Sequence, residues 1–502
     1  MAMAGTYDVL IRGGTVYDGS GAPARVADVG VRGVRIVEVG AIAGRGVMDL
    51  DARGLAVAPG FIDVHSHDDF AVLLDPEMPF KVMQGVTTDV VGNCGSGVVP
   101  FEAGLARFRR FHPAANPEPW DGFAEYLARV DEARPSLNVA VLMGHGSLRR
   151  GAMGLVQRAP SAAEFDRMRT WVREGVAAGA MGLSTGLIYE PGCYAATEEI
   201  VGLARELGGP SGGLYATHMR NEADGLLDAV GEAIRVGEEA GIPVEISHHK
   251  AAGRRNWGRV GQSLRMMEDA RGRGVDVTAD QYPYTAASTS LAAVVQSGAL
   301  RGNRSGGLGE LTAEDVLIAS APEHAEWEGL RLSALADSWG LSAEAACARI
   351  LAGEGEACFV IIFTMDEADV RLVMAHPTTM IGSDGVPCAT GKPHPRLYGC
   401  FPRVLGHYVR DHHVLDPATA IHRMTGMPAV KFHLLDRGLI RSGAFADLVV
   451  FDPVHIADVA TYGEPRRFPV GIRAVFVNGV AVALGGEHTG ARPGRALRRD
   501  NL

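Results

Sequence analysis

The chain of 502 residues is 47% hydrophobic and 21% charged, a make-up that excludes disorder, collagen and a coiled coil. Acidic residues outnumber basic ones 59 to 48, for a net charge of −11, which argues against a nucleic-acid or anionic-membrane partner because both need a basic face. At about 150 residues per domain, the length predicts roughly three domains or one large barrel with appendages.

The start, MAMAGTYDVLIRGG, has no basic segment followed by an apolar stretch, so no secretory leader is expected. Nowhere do about 18 apolar residues run together, and the expectation is a cytoplasmic protein without a membrane span. Tyr7 to Ile11, Val26 to Val31 and Val34 to Val39 are short β-branched runs separated by glycine-rich turns, and they read as strands. The C-terminal part reads alike, with runs at Ala446 to Phe451, Arg473 to Val477 and Val480 to Ala483. The two β-rich ends are therefore expected to pair into one small sheet domain.

Between them strand and helix alternate. Eight strand-like runs occur: Gly60 to His65, Thr88 to Gly92, Val139 to Met143, Ala180 to Ser184, Leu214 to His218, Val244 to His248, Val275 to Ala279 and Thr379 to Ile381. Ala162 to Ala178 and Ala223 to Ala240 carry apolar residues at three- and four-residue spacing, the mark of helices packed on one face. Eight such alternations point to a parallel (β/α)8 barrel more than to an open sheet. About 70 residues separate Tyr284 from the run Phe359 to Phe363, far beyond the usual loop of about 2–6 residues. Thr285 to Glu356 is thus an expected insertion, partly helical at Ser342 to Leu351, in a position suited to a lid. The expected division is residues 1–59 and 436–502 for the sheet domain and 60–435 for the barrel, with 285–356 inserted.

Six cysteines, Cys94, Cys193, Cys347, Cys358, Cys388 and Cys400, contain no Cys-x-x-Cys pair and are too few for a disulfide framework. The strongest local signal is the apolar strand that ends in His65-Ser66-His67. Period-two alternation turns both imidazoles to one side, as a divalent metal needs. Cys94 follows the second run, His218 ends the fifth, His248 and His249 end the sixth, and Asp384 follows the eighth. In an eight-stranded barrel these C-terminal ends meet around one mouth. Three or four N/S ligands leave an open position for water, which bound zinc activates at neutral pH. A carboxylate such as Asp384 can take the attacking proton and deliver it to a leaving nitrogen, so the chemistry indicated is metal-assisted hydrolysis of an amide-like bond.

The motifs GFIDVHSHDD, VVGNCG, GLIYEPG, ATHMRNE, ISHHK, DQYPYTA, IGSDG, HPRLYG and GLIRSGAFADLVVFDP, in this order, resemble the amidohydrolase superfamily. More narrowly they resemble its D-aminoacylase (N-acyl-D-amino-acid deacylase) branch, in which a cysteine after the second barrel strand is distinctive. The resemblance implies an α/β fold, a distorted TIM (β/α)8 barrel flanked by a β-sandwich from both termini. It implies Cys94, His218 and His248 as ligands of a tightly held Zn2+. It further implies His65 and His67 as ligands of a second, weaker or absent metal bridged by Cys94, and Asp384 as general acid/base. His249 is then expected to pack or hydrogen-bond behind His248, and His145 stays unassigned.

The implied reaction is hydrolysis of N-acyl-D-amino acids, small molecules, to a carboxylate and a free D-amino acid. Lys250, Tyr282 and Arg396 match the positions that clamp the α-carboxylate, a sensible grouping of point charge, phenol and planar fork. Tyr189 is a candidate for lining the pocket or polarising the scissile carbonyl. Branch members selective for acidic substrates resemble one another in placing an arginine after the DQYPYTA motif. Here Ala286 to Val295 is small and apolar, and Arg301 and Arg304 come later, so neutral or hydrophobic D-residues are the expected substrates. Opening of a cyclic amide, or deacylation of a specialised N-acyl metabolite, is the alternative reaction. One chain does not fix an oligomeric state, and a homo-oligomer stays open.

Overall fold

The computed structural model describes residues 6–209, 212–303 and 306–499. Its centre is a parallel sheet of eight strands: Phe61–Asp63, Val86–Val91, Asn138–Gly144, Gly182–Gly186, Leu214–His218, Val244–Ile246, Val277–Gln281 and Thr379–Ile381. Each strand is buried on both faces, which is why these segments read as apolar runs rather than alternating ones. Neighbours in the sequence are neighbours in the sheet. The last strand is drawn back to the first by a parallel bridge between Ser66 and Gly385 and by the Asp384 N–H donating to the His65 carbonyl at 2.8 Å. The sheet is thereby an almost closed barrel.

Helices cover its outside. Ala162–Ala178 begins with a capping box, Ser161 accepting from the Glu164 N–H while Glu164 accepts from the Ser161 N–H. The helix expected from Ala223 starts instead at Leu226, because the Asn221 side chain accepts from the N–H groups of Ala223 and Gly225 and holds a turn there. The sixth strand, expected to reach His248, stops at Ile246. His248 has φ 37°, which a strand does not allow.

Both termini share one nine-stranded sheet. Ala56–Pro59 from the N-terminal side pairs antiparallel with Leu448–Phe451 from the C-terminal side, and Ile472–Val477 and Val480–Leu484 extend it. Val9, Ile11, Val29, Ile36, Val57, Val450 and Phe476 fill the core of this β-sandwich part.

Between the seventh and eighth barrel strands lies a three-stranded antiparallel sheet, Ala287–Ser290, Phe359–Ile362 and Val316–Ser320, with Phe359–Ile362 in the middle. The helices Leu291–Ser297, Leu332–Trp339 and Ala343–Glu354 pack on it around a core of their own, which includes Val294, Ile318, Trp327 and Ile350. Among the described residues no helix is long and apolar enough to cross a membrane, and all six cysteines are free.

Candidate metal centre and active-site cleft

The C-terminal ends of the barrel strands bring His65, His67, Cys94, His218, His248 and Asp384 together. His65, His67, Cys94 and Asp384 offer ligand atoms within 4.8 Å of one another, and Cys94, His218 and His248 do the same, so Cys94 belongs to both groups. Cys94, His248 and Asp384 have φ of 51°, 37° and 49°, left-handed conformations that cost a non-glycine residue about 1 kcal/mol or more. The strain is held by packing: a Cβ on Gly92, two residues before Cys94, would lie 2.2 Å from the Leu142 carbonyl oxygen.

Distances within the cluster suit a tetrahedral metal. Cys94 Sγ is 3.3 Å from His65 Nε2 and 3.5 Å from His248 Nε2. Zinc–sulfur and zinc–nitrogen bonds of ordinary length at a tetrahedral angle put the two ligand atoms about 3.6 Å apart. Neither ring nitrogen of the buried His218 has a protein hydrogen-bond partner, a costly arrangement for a polar ring unless something else takes a lone pair. The donor set therefore fits a zinc ion.

Carboxylates orient the rings. Asp280, at the end of the seventh strand, accepts from the His248 backbone N–H at 2.8 Å and faces His65 Nδ1 at 3.1 Å. Glu222 lies 3.0 Å from His248 Nδ1 and accepts from Lys250 Nζ at 2.6 Å. Lys250 Nζ also lies 2.9 Å from His248 Nδ1, so this edge of the ring is fixed by Glu222 and Lys250 while the Nε2 edge faces Cys94.

Charge follows the same plan. Burial would raise the Cys94 thiol, yet the imidazoles of His65 and His248 hold it well below its ordinary value, as a thiolate ligand requires. Burial opposes a charge on His248, as does Lys250, but Glu222 and Cys94 raise it to about 9. His218 is pushed down by burial and stays neutral. Burial likewise works against the Asp384 charge, but Arg396 and His65 hold the carboxyl well below the usual range.

These groups open into one cleft. Arg396 is entirely buried, 2.9 Å from the Asp384 carboxylate, with its guanidinium carbon 4.4 Å from the Tyr282 ring centroid. None of its three nitrogens reaches hydrogen-bond geometry with the protein. Lys250 Nζ stands 5.7 Å from the same ring. Tyr189 packs edge-on to His218 at 4.9 Å, and its hydroxyl is 3.4 Å from Thr289 Oγ1 on the insertion.

Two histidines named in the sequence face elsewhere. His249 Nε2 is 2.8 Å from Ser263 Oγ, and burial with the Lys250 charge pushes it to about 3. His145, directly after the third strand, pairs through Nε2 with Glu199 at 2.9 Å. Arg301 is exposed and does not line the cleft, and Arg304 lies outside the described residues. Glu222, Asp280, Arg107 and Arg110 were not singled out by the sequence. Glu222 does stand inside ATHMRNE and Asp280 opens DQYPYTA, so position within a motif was the available signal.

An eight-stranded barrel with a His-x-His pair, a cysteine and two further histidines at its mouth defines a metal-dependent hydrolase of the barrel type. Residues 50–483 match the amidohydrolase family, and the chain belongs to it. It is 41% identical to a D-aminoacylase of Alcaligenes xylosoxydans xylosoxydans, over 98% of each chain. It is 43% identical to an N-acyl-D-aspartate deacylase of the same organism, over 98% of this chain and 95% of that one. Among solved structures it is similar to N-acyl-D-glutamate deacylase from Bordetella bronchiseptica, complexed with zinc and a phosphonate mimic of the tetrahedral intermediate. That match has a TM-score of 0.88 and 40% identity, covering 98% of this chain and 100% of that one.

Proposed function

We propose that this protein is a zinc-dependent N-acyl-D-amino-acid deacylase, hydrolysing the amide bond to a carboxylate and a free D-amino acid. The observation that carries the reading is the buried guanidinium of Arg396, without a hydrogen-bonded protein acceptor, beside a cysteine–histidine metal cluster in one cleft. Cys94, His218 and His248 would hold the tighter zinc, and His65 and His67 with Cys94 a second, weaker one. Zinc bound there supplies electrophilic activation of water and of the scissile carbonyl.

The chain's own residues supply the rest. Lys250, Tyr282 and Arg396 take the substrate's α-carboxylate, the arginine through its planar fork. Tyr189, held by Thr289, lines the cleft beside His218 and orients the scissile carbonyl. Asp384, an ionised carboxylate 3.1 Å from His67 Nε2, accepts the proton of the attacking water and returns it to the leaving nitrogen.

Side-chain preference follows from the part of the lining that the insertion and its approach supply. Ala287, Leu308, Phe359 and Ile362 line it, and no arginine occurs from Ala286 to Val295. Neutral or hydrophobic D-residues such as Leu, Met, Phe and Val fit it better than D-Glu or D-Asp. The test is amine release by zinc-supplemented protein from N-acetyl-D- and N-acetyl-L-methionine and from N-acetyl-D-glutamate. Release from D-methionine ahead of both others supports the reading, and faster release from the L form overturns its stereochemistry.

A further inference from the structure

One wall of the cleft is cationic without an evident structural reason. Arg107 and Arg110 line it, from the helix Phe101–Phe108 and the turn that follows, after the second barrel strand. The Arg107 side chain makes no ion pair or hydrogen bond among the described residues, and its guanidinium stands 5.2 Å from the Tyr189 ring centroid. Arg110 has one acidic partner, Glu356 of the insertion at 2.6 Å, itself 56% exposed, while its own Nε is buried without a partner. Burial first, then the charges of Arg107 and Arg150, push the Arg110 guanidinium below its ordinary value, a sign that cations are crowded here. Such crowding in a chain of net charge −11 points to an anion that the protein itself does not supply.

Topology says which part of the substrate arrives there. In an eight-stranded order the second strand lies across the mouth from the sixth. Lys250 follows the sixth strand and so stands across the metal cluster from the arginine pair, while Tyr282 follows the seventh strand and Arg396 the eighth, a quarter turn from the second. In an N-acyl amino acid the α-carboxylate and the acyl chain also leave the amide on opposite sides. A smaller recess beside His67, walled by Phe70, Phe108 and Phe111 with the buried Asp69 in its lining and Arg107 at its edge, continues the cleft. Its aromatic walls suit methylene groups, and an arginine fork suits a terminal carboxylate.

We propose that Arg107 and Arg110 bind a carboxylate at the far end of the acyl chain, so that the substrates are D-amino acids N-acylated by a dicarboxylic unit of the succinyl or glutaryl kind. The inference rests on the deacylase reading. In the reaction the oxygen of water bonds to the acyl carbon, the C–N bond breaks, and the proton goes to the amine nitrogen. The products are a dicarboxylate and a free D-amino acid.

The experiment compares kcat/KM of the zinc-loaded full chain on N-succinyl-D-methionine and on N-butanoyl-D-methionine, in which a methyl replaces the terminal carboxylate. The expected ratio is about tenfold or more in favour of succinyl, falling to about one in Arg107→Gln, whose zinc content and melting temperature are checked in parallel. A ratio near one in the wild type, or one that survives Arg107→Gln and Arg110→Gln together, overturns the proposal. A flat succinyl ratio with an Arg107-dependent advantage of N-acetyl-D-glutamate over N-acetyl-D-methionine also overturns it, since the second carboxylate then comes from the side chain. If no D-substrate is hydrolysed, the deacylase reading fails on its own, and calorimetric binding of glutarate against butyrate decides the arginine pair. Tighter glutarate binding lost in Arg107→Gln supports the pair, and equal binding overturns it.

Discussion

Lys81 Nζ donates to the Asp63 carboxylate at 2.5 Å, with both side chains wholly buried. The same ammonium lies 3.0 Å from Asp68 and 3.4 Å from Asp89 and donates to Ser383 Oγ at 3.1 Å, while the Ser383 N–H donates to Asp63 at 2.8 Å. Asp63 ends the first barrel strand and Ser383 follows the eighth, so Lys81 sits at the seam where the barrel closes. His65, His67 and Asp384 are within four residues of these groups. Lys81→Met removes the cation and leaves buried carboxylates unpaired, a change expected to cost about 3–5 kcal/mol. Urea denaturation of the zinc-loaded protein measures it, and an unchanged midpoint would mean that the seam is held by backbone bonds alone.

The metal assignments separate from the proton-transfer assignment by two readouts. Cys94→Ala and His218→Ala are expected to lose zinc and turnover together, and chelation followed by zinc re-addition is expected to abolish and restore activity in the wild type. Asp384→Asn is expected to retain zinc while kcat falls about a hundred- to ten-thousand-fold. Metal analysis beside steady-state kinetics checks both, and an Asp384→Asn enzyme of normal kcat would remove that residue from proton transfer.

Glu222 touches both Lys250 and His248. It accepts from Lys250 and faces His248 Nδ1, and the charges of Lys250 and His248 hold its carboxyl far down against the burial that would raise it. Glu222→Gln keeps the shape but loses the charge, and zinc affinity is expected to weaken about 10- to 100-fold. Competition against a chromophoric chelator reads this directly.

The contrast between His248 and Lys81 shows what the sequence displays and what it hides. Each ligand candidate stands at the end of an apolar run, so one local pattern, repeated around a barrel, is enough to find it. Overlapping strands appear where the eight runs were expected, and both β-rich ends pair as expected. The exceptions are local. His248 leaves its strand through a left-handed backbone that no glycine announces, and the Asn221 turn delays a helix by three residues. The Lys81 network draws on four separate segments, and nothing in the spacing of Asp63, Asp68, Asp89 and Ser383 says that they converge. The antiparallel sheet of the insertion was equally hidden, because its short strands pair across about 70 residues.

His249 makes the fold sensitive to acid in a predictable sense. Its folded value of about 3 lies below the ordinary 6.5, so between these values the unfolded chain binds a proton that the folded one does not. Stability from this residue is complete above about pH 6.5 and falls as pH drops toward 3, by about 2 kcal/mol at pH 5. Urea titrations at pH 7 and 5 on wild type and His249→Gln isolate the effect, since the glutamine cannot take up the proton. The wild type is expected to lose about 2 kcal/mol more than the variant between the two pH values, and equal losses would show that the ring is already solvated.

Arg396 offers the sharpest test of the clamp, because its role is defined by a difference and not by an absolute rate. Its guanidinium is buried beside Asp384 and lacks a hydrogen-bonded acceptor, so Arg396→Met disturbs Asp384 as well as any bound carboxylate. Substrate and enzyme therefore have to be changed together. In the wild type, N-acetyl-D-methioninamide, whose α-carboxylate is neutralised, is expected to be worse in kcat/KM than N-acetyl-D-methionine by about thirtyfold or more, some 2 kcal/mol. In Arg396→Met both are expected to be slow and the gap between them to close to within about threefold, because the partner that told them apart is gone. A full thirtyfold gap persisting in the variant would place the carboxylate on Lys250 and Tyr282 alone and leave Arg396 as the group that holds Asp384 in its ionised, proton-accepting state.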